Sequence, residues 1–165
     1  MEQKQTKIHS RVKIVVDINI VFSAILNSNG KIGDLLLNSG SYIDFYSVDY
    51  LRYEIANHYD KLTKISNQTF DQIVKTEYFI VRGIKSISEE QISEINWRSA
   101  HNLVLDVDLD DIAFVALAKH LECKLWKSDG ILIRGLSKNG FKNTILTDEL
   151  LEYRNTLENR SRKFK

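Results

Sequence analysis

Four acidic residues stand where a carboxylate can bind a metal ion. Asp17 and Asp129 follow apolar stretches, RVKIVVDI and CKLWKSD, while Glu54 lies in the helical pattern DYLRYEI and Asp111 opens DIAFVALA. Carboxylate oxygens are the ligands that Mg²⁺ and Mn²⁺ prefer in proteins. We therefore predict that Asp17, Glu54, Asp111 and Asp129 form one site that binds such a cation.

The acidic run around Asp111 offers further ligands. It contains Asp106, Asp108, Asp110 and Asp111 and no basic residue. Aspartate is favoured at helix starts, where it caps backbone N–H groups and complements the helix dipole, so any one of these residues needs no other role. Because the run exceeds what capping requires, we select Asp111 as a metal ligand and Asp108 as a further candidate.

The other candidate side chains have different alternatives. Asp17 ends an apolar strand, where an aspartate loses hydration unless it is paired or bound to metal. Glu54 lies at the edge of an apolar helical stripe and can equally be a surface residue. Ser23 has no evident histidine partner, so we expect it to orient Asp17 rather than act as a nucleophile. The four histidines show no metal-ligand spacing.

The predicted strands bring these acids to one edge of a sheet. Residues 11–18 predict a strand buried on both faces of a parallel sheet, and residues 123–129 predict a second, short strand. Ligands bind at the carboxyl ends of strands in open parallel sheets. Asp17 and Asp129 follow such ends, and Asp111 begins the helix that precedes the second strand.

The rest of the chain alternates strands with helices. Further strands are predicted at 42–48 and 143–147, and residues 79–87 are compatible with a strand or an extended linker. Helices are predicted at 21–26, 33–40, 49–66 with Asp49 as cap, 66–78, 88–103, 111–122, 130–140 and 147–165. This order predicts a three-layer α/β/α sandwich around a central parallel sheet. We expect one domain over residues 1–165, with a core at about 11–151 and a basic C-terminal helix and tail at 148–165.

The composition excludes several classes of protein. The 165 residues are 43% hydrophobic and 27% charged, which is ordinary for a globular protein and unlike a disordered or fibrous one. Cys123 is the single cysteine, which excludes an intramolecular disulfide and a cysteine-based zinc site within one chain. No stretch approaches the roughly 20 apolar residues that cross a bilayer, so we expect a cytoplasmic protein without a membrane partner.

The charge distribution is more informative than the total. The formal net charge is only +1, which does not indicate a general polyanion binder. Basic residues outnumber acidic ones between residues 119 and 165, close in sequence to the acidic run. A basic region beside an acidic cluster suits a negatively charged ligand that approaches a bound cation, although a solvated surface explains it equally.

Through these features the chain resembles members of the PIN-domain family over residues 13–151. The family's opening pattern is matched by Asp17, Asn19 and Ser23, its helical glutamate by Glu54, its acidic run by Asp108 and Asp111, and its last aspartate by Asp129. No single motif is specific. The motifs nevertheless occur in the family's order and in matching strand and helix contexts.

The resemblance implies a metal-dependent endoribonuclease that hydrolyses RNA phosphodiester bonds with Mg²⁺ or Mn²⁺. Asp17, Asp111 and Asp129, with Asp108, would be direct or water-mediated ligands, and Glu54 a ligand or a water-orienting group. Asn19, Ser23, Ser128 and Lys127 would surround and support those ligands. Arg134 and Lys138 would hold the RNA backbone. Many such proteins are toxins of toxin–antitoxin pairs and form homodimers, so RNA, an antitoxin and a second copy are the implied partners.

One position departs from the family pattern, and two other functions remain open. Such domains often carry threonine or serine where Lys127 stands, and a lysine there would disfavour a second metal ion. The first alternative is therefore a PIN-like module that binds nucleic acid without cleaving it. The second is a metal-dependent phosphatase, which needs an aspartate two residues after its nucleophile. Asn19 stands there and disfavours this activity.

Overall fold

The central feature of the structure, a computed structural model that describes residues 10–163, is a five-stranded parallel sheet. The strands are β1 (Val12–Val16), β2 (Ile43–Val48), β3 (Ile84–Ile87), β4 (Lys124–Trp126) and β5 (Thr144–Ile145). Their order is β3-β2-β1-β4-β5, and every neighbouring pair is parallel. β1 is thus central, flanked by β2 and β4.

Helices connect consecutive strands, and one more helix follows β5. They are α1 (Ile18–Leu26), α2 (Lys31–Asn38), α3 (Tyr50–Asn57), α4 (Tyr59–Ser66), α5 (Phe70–Val81), α6 (Glu94–Val104), α7 (Ile112–His120), α8 (Gly130–Lys138) and α9 (Thr147–Arg162). Two 3₁₀ turns, Glu89–Gln91 and Leu109–Asp111, precede α6 and α7. No helix in residues 10–163 has the length and apolar character needed to cross a membrane.

The side chains of β1 divide the core between the two faces of the sheet. Ile14 and Val16 pack with buried residues of α1 to α5 and of α9, whereas Val15 packs with those of α6, α7 and α8. Successive strand residues point to opposite faces, so both faces of a central strand must be apolar. The three-layer α/β/α sandwich predicted from the sequence is confirmed.

The register between β1 and β4 positions the candidate site. Val16 lies opposite Trp126 in this pairing, so Asp17 and Lys127 leave the sheet side by side at its carboxyl edge. Trp126 is fully buried, packs against Phe45 with a ring-centroid distance of 5.9 Å, and donates a hydrogen bond to Thr147 Oγ1 at 3.1 Å. The end of β4 is therefore firmly anchored.

The predicted helix at 49–66 is wrong in one respect, because the structure divides it at His58. The His58 N–H donates to the carbonyl of Ile55, and the His58 ring nitrogen Nδ1 lies 2.8 Å from the carbonyl of Glu54. In a continuous α-helix the His58 N–H would donate to the carbonyl of Glu54. Here the imidazole ring occupies that carbonyl instead. Asp49 precedes α3, but its side chain makes no capping hydrogen bond.

Other predicted boundaries shift by a few residues. The first strand ends at Val16 because the next residue caps α1. The helix predicted at 66–78 begins after Thr69, which forms a capping box with Gln72, and extends to Val81. The undecided stretch 79–87 therefore holds both a helix end and β3. The predicted basic tail falls partly on residues 164 and 165, outside the described residues.

Candidate active site

Asp17 is a buried carboxylate at the carboxyl end of the central strand. Its side chain is 1% exposed, and Oδ1 accepts a hydrogen bond of 2.9 Å from the backbone N–H of Ile20. Asp17 is thereby the N-cap of α1, a position that favours aspartate. Its second oxygen, Oδ2, faces Lys127 and lies 2.8 Å from Nζ.

Asp111 approaches the same lysine from the other side. It ends the 3₁₀ turn before α7 and is only 6% exposed. Lys127 Nζ donates a hydrogen bond of 2.5 Å to Asp111 Oδ1, while Asp111 Oδ2 is buried and has no hydrogen-bond partner in the part of the chain that the structure describes. The contact between Lys127 and Asp17 is an ion pair that lacks hydrogen-bond geometry, so Asp17 Oδ2 also has no hydrogen bond to any described residue.

Lys127 thus lies between two carboxylates in a place that excludes solvent. Its side chain is 1% exposed. Burial alone disfavours the ammonium, but the charges of Asp17 and Asp111 outweigh this effect and hold the pKa of Lys127 above its usual value. Lys127 therefore stays charged.

The two carboxylates share a single positive charge. Burial raises the pKa of the Asp111 carboxyl, the Lys127 charge opposes the rise, and the Asp17 and Asp108 carboxylates add to it. The net direction is upward, because burial of the Asp111 carboxyl outweighs the opposing effect of the Lys127 ammonium. Two carboxylates beside one ammonium still leave a net negative charge, which would attract a further cation.

Asp108 and Asp129 have local roles as caps. Asp108 is half-buried and accepts a hydrogen bond of 3.0 Å from the Asp110 N–H. Asp129 is exposed and accepts a hydrogen bond of 2.7 Å from the Ile131 N–H, which makes it the N-cap of α8. These hydrogen bonds leave each residue with a second carboxylate oxygen outside the cap.

The loop that carries Asp108 contacts the helix that follows Asp129. A Cβ atom at Gly135 would lie 3.1 Å from Val107 Cγ1, which is closer than most Cβ contacts, so the glycine helps α8 to approach this closely. Asn139 Nδ2 also donates to the carbonyl of Leu103 at 2.9 Å. Tertiary packing therefore brings these two segments together, although they are separated along the chain.

Glu54 is held by its own helix. Tyr50, one turn earlier, donates a short hydrogen bond to Glu54 Oε1, and His58 Nδ1 lies 3.9 Å from Oε2. The largest cause that raises the pKa of Tyr50 to about 12 is this hydrogen bond to Glu54. Neither Tyr50 nor His58 was predicted to contact Glu54, although each is four residues from it, a spacing that brings side chains together on a helix.

Three smaller polar residues were also predicted to belong to the site of Asp17 and Asp111. Asn19 and Ser128 are exposed, and Ser23 is half-buried. The Ser23 hydroxyl donates to the backbone carbonyl of Asn19 at 2.8 Å, and not to Asp17. The proposed support of Asp17 by Ser23 therefore does not take the form of a hydrogen bond in this structure.

Arg134 and Lys138 are exposed on α8. They are four residues apart, so they lie on the same helix face. The Arg134 guanidinium approaches the start of the helix, since a Cβ at Gly130 would lie 3.6 Å from its Nη1. Its positive charge is thus near Asp129 at the carboxyl edge of the sheet.

The carboxylate oxygens of Asp17 and Asp111 are of the type that binds a hard divalent cation, but too few ligands among the described residues are arranged around one point. Asp17 Oδ2 and Asp111 Oδ2 are buried carboxylate oxygens without hydrogen bonds, which fits Mg²⁺ or Mn²⁺. Within residues 10–163, however, no group of three or more His, Cys, Asp and Glu side chains is arranged to hold a metal ion. Lys127 occupies the gap where two of the carboxylates meet.

Comparison with known families decides the assignment. The model of the PIN domain matches residues 15–160, which is most of the chain. This chain belongs to the PIN-domain family. The resemblance found in the sequence is confirmed, and the match contains Asp17, Glu54, Asp111 and Asp129.

Two solved structures share the fold of this PIN domain. PAE2754 from Pyrobaculum aerophilum has a TM-score of 0.63 and 13% identity, with 94% of this chain and 99% of that chain covered. VapBC2 from Rickettsia felis, bound to a DNA fragment from its promoter, has a TM-score of 0.61 and 13% identity, with 82% and 97% covered. Comparison with curated protein sequences gives no match.

Proposed function

We propose that this PIN domain is a ribonuclease that hydrolyses RNA phosphodiester bonds with the help of Mg²⁺ or Mn²⁺. The observation that carries the proposal is the burial of Asp17 and Asp111 around one point at the carboxyl edge of the sheet. Burying two carboxylates together is costly, and such arrangements are concentrated at functional sites. The same edge is where open parallel sheets bind ligands.

The acidic residues would divide the chemistry among them. The cation would have as direct or water-mediated ligands Asp17, Asp111, Asp129 and Asp108. When bound, the cation would lower the pKa of a water molecule and stabilise charge on the leaving oxygen. Glu54 would orient water or contribute a ligand.

The basic face of α8 would bind the RNA backbone. Arg134 and Lys138 are exposed on one helix face, and the Arg134 guanidinium lies by the start of that helix. Contacts to phosphate position a nucleic acid without reading its sequence. Asn19 and Ser128 are exposed beside the buried pair and would support the metal ligands or the substrate.

We propose further that the chain acts in the cytoplasm as the toxin of a toxin–antitoxin pair and forms a homodimer. The family membership and the fold shared with VapBC2 support this proposal. Induction of the chain in bacteria should arrest growth, whereas the Asp111→Asn variant should not. Light scattering of the purified protein should give the mass of two chains. Normal growth with abundant folded protein would contradict the toxin role.

One observation favours a second function, which is RNA binding without cleavage. The Lys127 ammonium fills the gap between Asp17 and Asp111. If it prevents every productive cation from binding, the protein would retain RNA affinity through its basic face alone. RNA binding measured beside cleavage separates the two functions.

The deciding experiment is incubation with single-stranded and structured RNA, with Mn²⁺, Mg²⁺ or EDTA. We expect cleavage with metal and none in EDTA. Asp111→Asn should abolish cleavage, whereas the matched variant Asp60→Asn, at an exposed acidic position on α4, should not. Cleavage that survives Asp111→Asn would contradict the proposed site, and RNA binding without cleavage would establish the binding module.

A further inference from the structure

We propose that Lys127 acts as a built-in cation that assembles the Asp17–Asp111 centre without metal and prevents a divalent ion from bridging these two carboxylates. The inference rests on the proposed function only for the location of the metal site. Its consequence is that divalent cations bind weakly to the wild-type protein.

The Lys127 ammonium is close enough to both carboxylates to fill the space between them. Nζ lies 2.8 Å from Asp17 Oδ2 and 2.5 Å from Asp111 Oδ1. An ion that bridges two carboxylates lies in the same gap, since Mg²⁺ binds oxygen at about 2.0–2.1 Å. An ammonium and a metal ion cannot share that volume, and they also repel each other.

The lysine side chain is tied to the rigid part of the sheet. The Lys127 N–H donates to the carbonyl of Ile145 on β5 at 3.1 Å, directly after the buried Trp126. The side chain therefore starts from a fixed backbone and reaches its two partners within the protein interior. A cation that displaced the ammonium would leave a buried lysine without its ion pairs, which is unfavourable.

The charge balance explains why the centre nevertheless attracts a cation weakly. Two carboxylates and one ammonium leave a net negative charge, and Asp111 Oδ2 has no hydrogen-bond partner among residues 10–163. A divalent ion would thus bind at Asp111 Oδ2, outside the gap that Lys127 fills, with the ammonium opposing its approach. Removal of the lysine charge should convert this centre into a tighter metal site.

Metal binding can be measured on the full chain without any assay of cleavage. Calorimetric titration with Mn²⁺ and thermal unfolding in EDTA or Mn²⁺ would compare wild type with Lys127→Thr and Lys127→Met. Lys124→Thr is the matched control, because Lys124 begins the same strand but is exposed.

The expected results differ clearly between these proteins. Wild type and Lys124→Thr should be folded in EDTA and should bind Mn²⁺ with the same weak affinity. Lys127→Thr should bind Mn²⁺ at least about tenfold more tightly, because the substitution removes the positive charge that repels the cation. An equal or weaker affinity in Lys127→Thr would overturn the proposal.

Two further outcomes keep the test decisive. If either Lys127 variant is unfolded in EDTA, Mn²⁺ should restore its far-ultraviolet circular dichroism, and a failure to do so would count against the proposal. Wild type supplies an independent test, since a large Mn²⁺-induced rise in its melting temperature would also refute the built-in cation. Absence of RNA cleavage would contradict the proposed function but leave these binding results unchanged.

Discussion

Lys127 Nζ lies 2.8 Å from Asp17 Oδ2, and each side chain is 1% exposed. The pairing of Val16 with Trp126 makes these two residues neighbours at the ends of adjacent strands. The ion pair is thus a direct result of strand register. Each of these buried charges therefore loses its neighbouring counter-ion when the other residue is replaced.

Asp17→Asn should abolish cleavage and leave the metal-free protein as stable as wild type to within about 1 kcal/mol, or more stable. Asparagine still caps α1 through its Oδ1, and Lys127 keeps Asp111 as its partner once the ammonium moves away from the asparagine Nδ2, which replaces Asp17 Oδ2. Asp17→Ala removes the cap as well and should cost a further 1 kcal/mol or so. Urea unfolding gives the free energies. Loss of folding in Asp17→Asn would instead identify Asp17 as a structural residue.

Removal of the lysine should cost more than removal of either aspartate. Lys127→Met leaves two buried carboxylates without a counter-ion, which we expect to lower the free energy of unfolding by about 3–5 kcal/mol in EDTA. Asp111→Asn leaves a single ion pair between Lys127 and Asp17, and we expect a loss below about 2 kcal/mol.

A double-mutant cycle measures the coupling between these positions. Lys127→Met combined with Asp111→Asn should be more stable than Lys127→Met alone, because one of the two unpaired charges is gone. Additive losses would show that Lys127 and Asp111 do not interact in solution.

Glu54→Gln should lower the pKa of Tyr50 from about 12 toward the usual value near 10. The hydrogen bond to the Glu54 carboxylate is the main cause of the elevated pKa, and a neutral amide stabilises the protonated phenol less. Ultraviolet titration of the phenolate, with Tyr50→Phe to identify the signal, measures the change. An unaltered titration would indicate that Tyr50 does not hold Glu54 in solution, which would leave Glu54 available to the metal site.

Replacement of Arg134 and Lys138 by alanine should weaken RNA binding and make its salt dependence shallower. Each lost phosphate contact to single-stranded RNA should reduce the slope of log K against log salt by about 0.7. Lys13→Ala is the control, since this exposed lysine lies near the amino end of β1, away from the carboxyl edge. Equal slopes in all three proteins would exclude α8 from the RNA interface.

Much of the fold was predictable because its signals are local. The apolar run before Asp17 indicates a central parallel strand, and the apolar stretch after Asp111 indicates a buried helix. The break at His58 was not predictable from apolar periodicity. The break depends on the contact between the His58 ring and the carbonyl of Glu54, and a continuous stripe of apolar residues does not indicate how a histidine side chain is oriented.

The sequence by itself determined which carboxylates are candidates, because aspartates at the ends of apolar segments are visible from residue type and spacing. It also determined that Lys127 departs from the family pattern. Only the tertiary structure decided that Lys127 reaches Asp17 and Asp111. The physical reason is that strand register and helix docking are set by packing over the whole core, which brings residues 17, 111 and 127 together although they are distant along the chain.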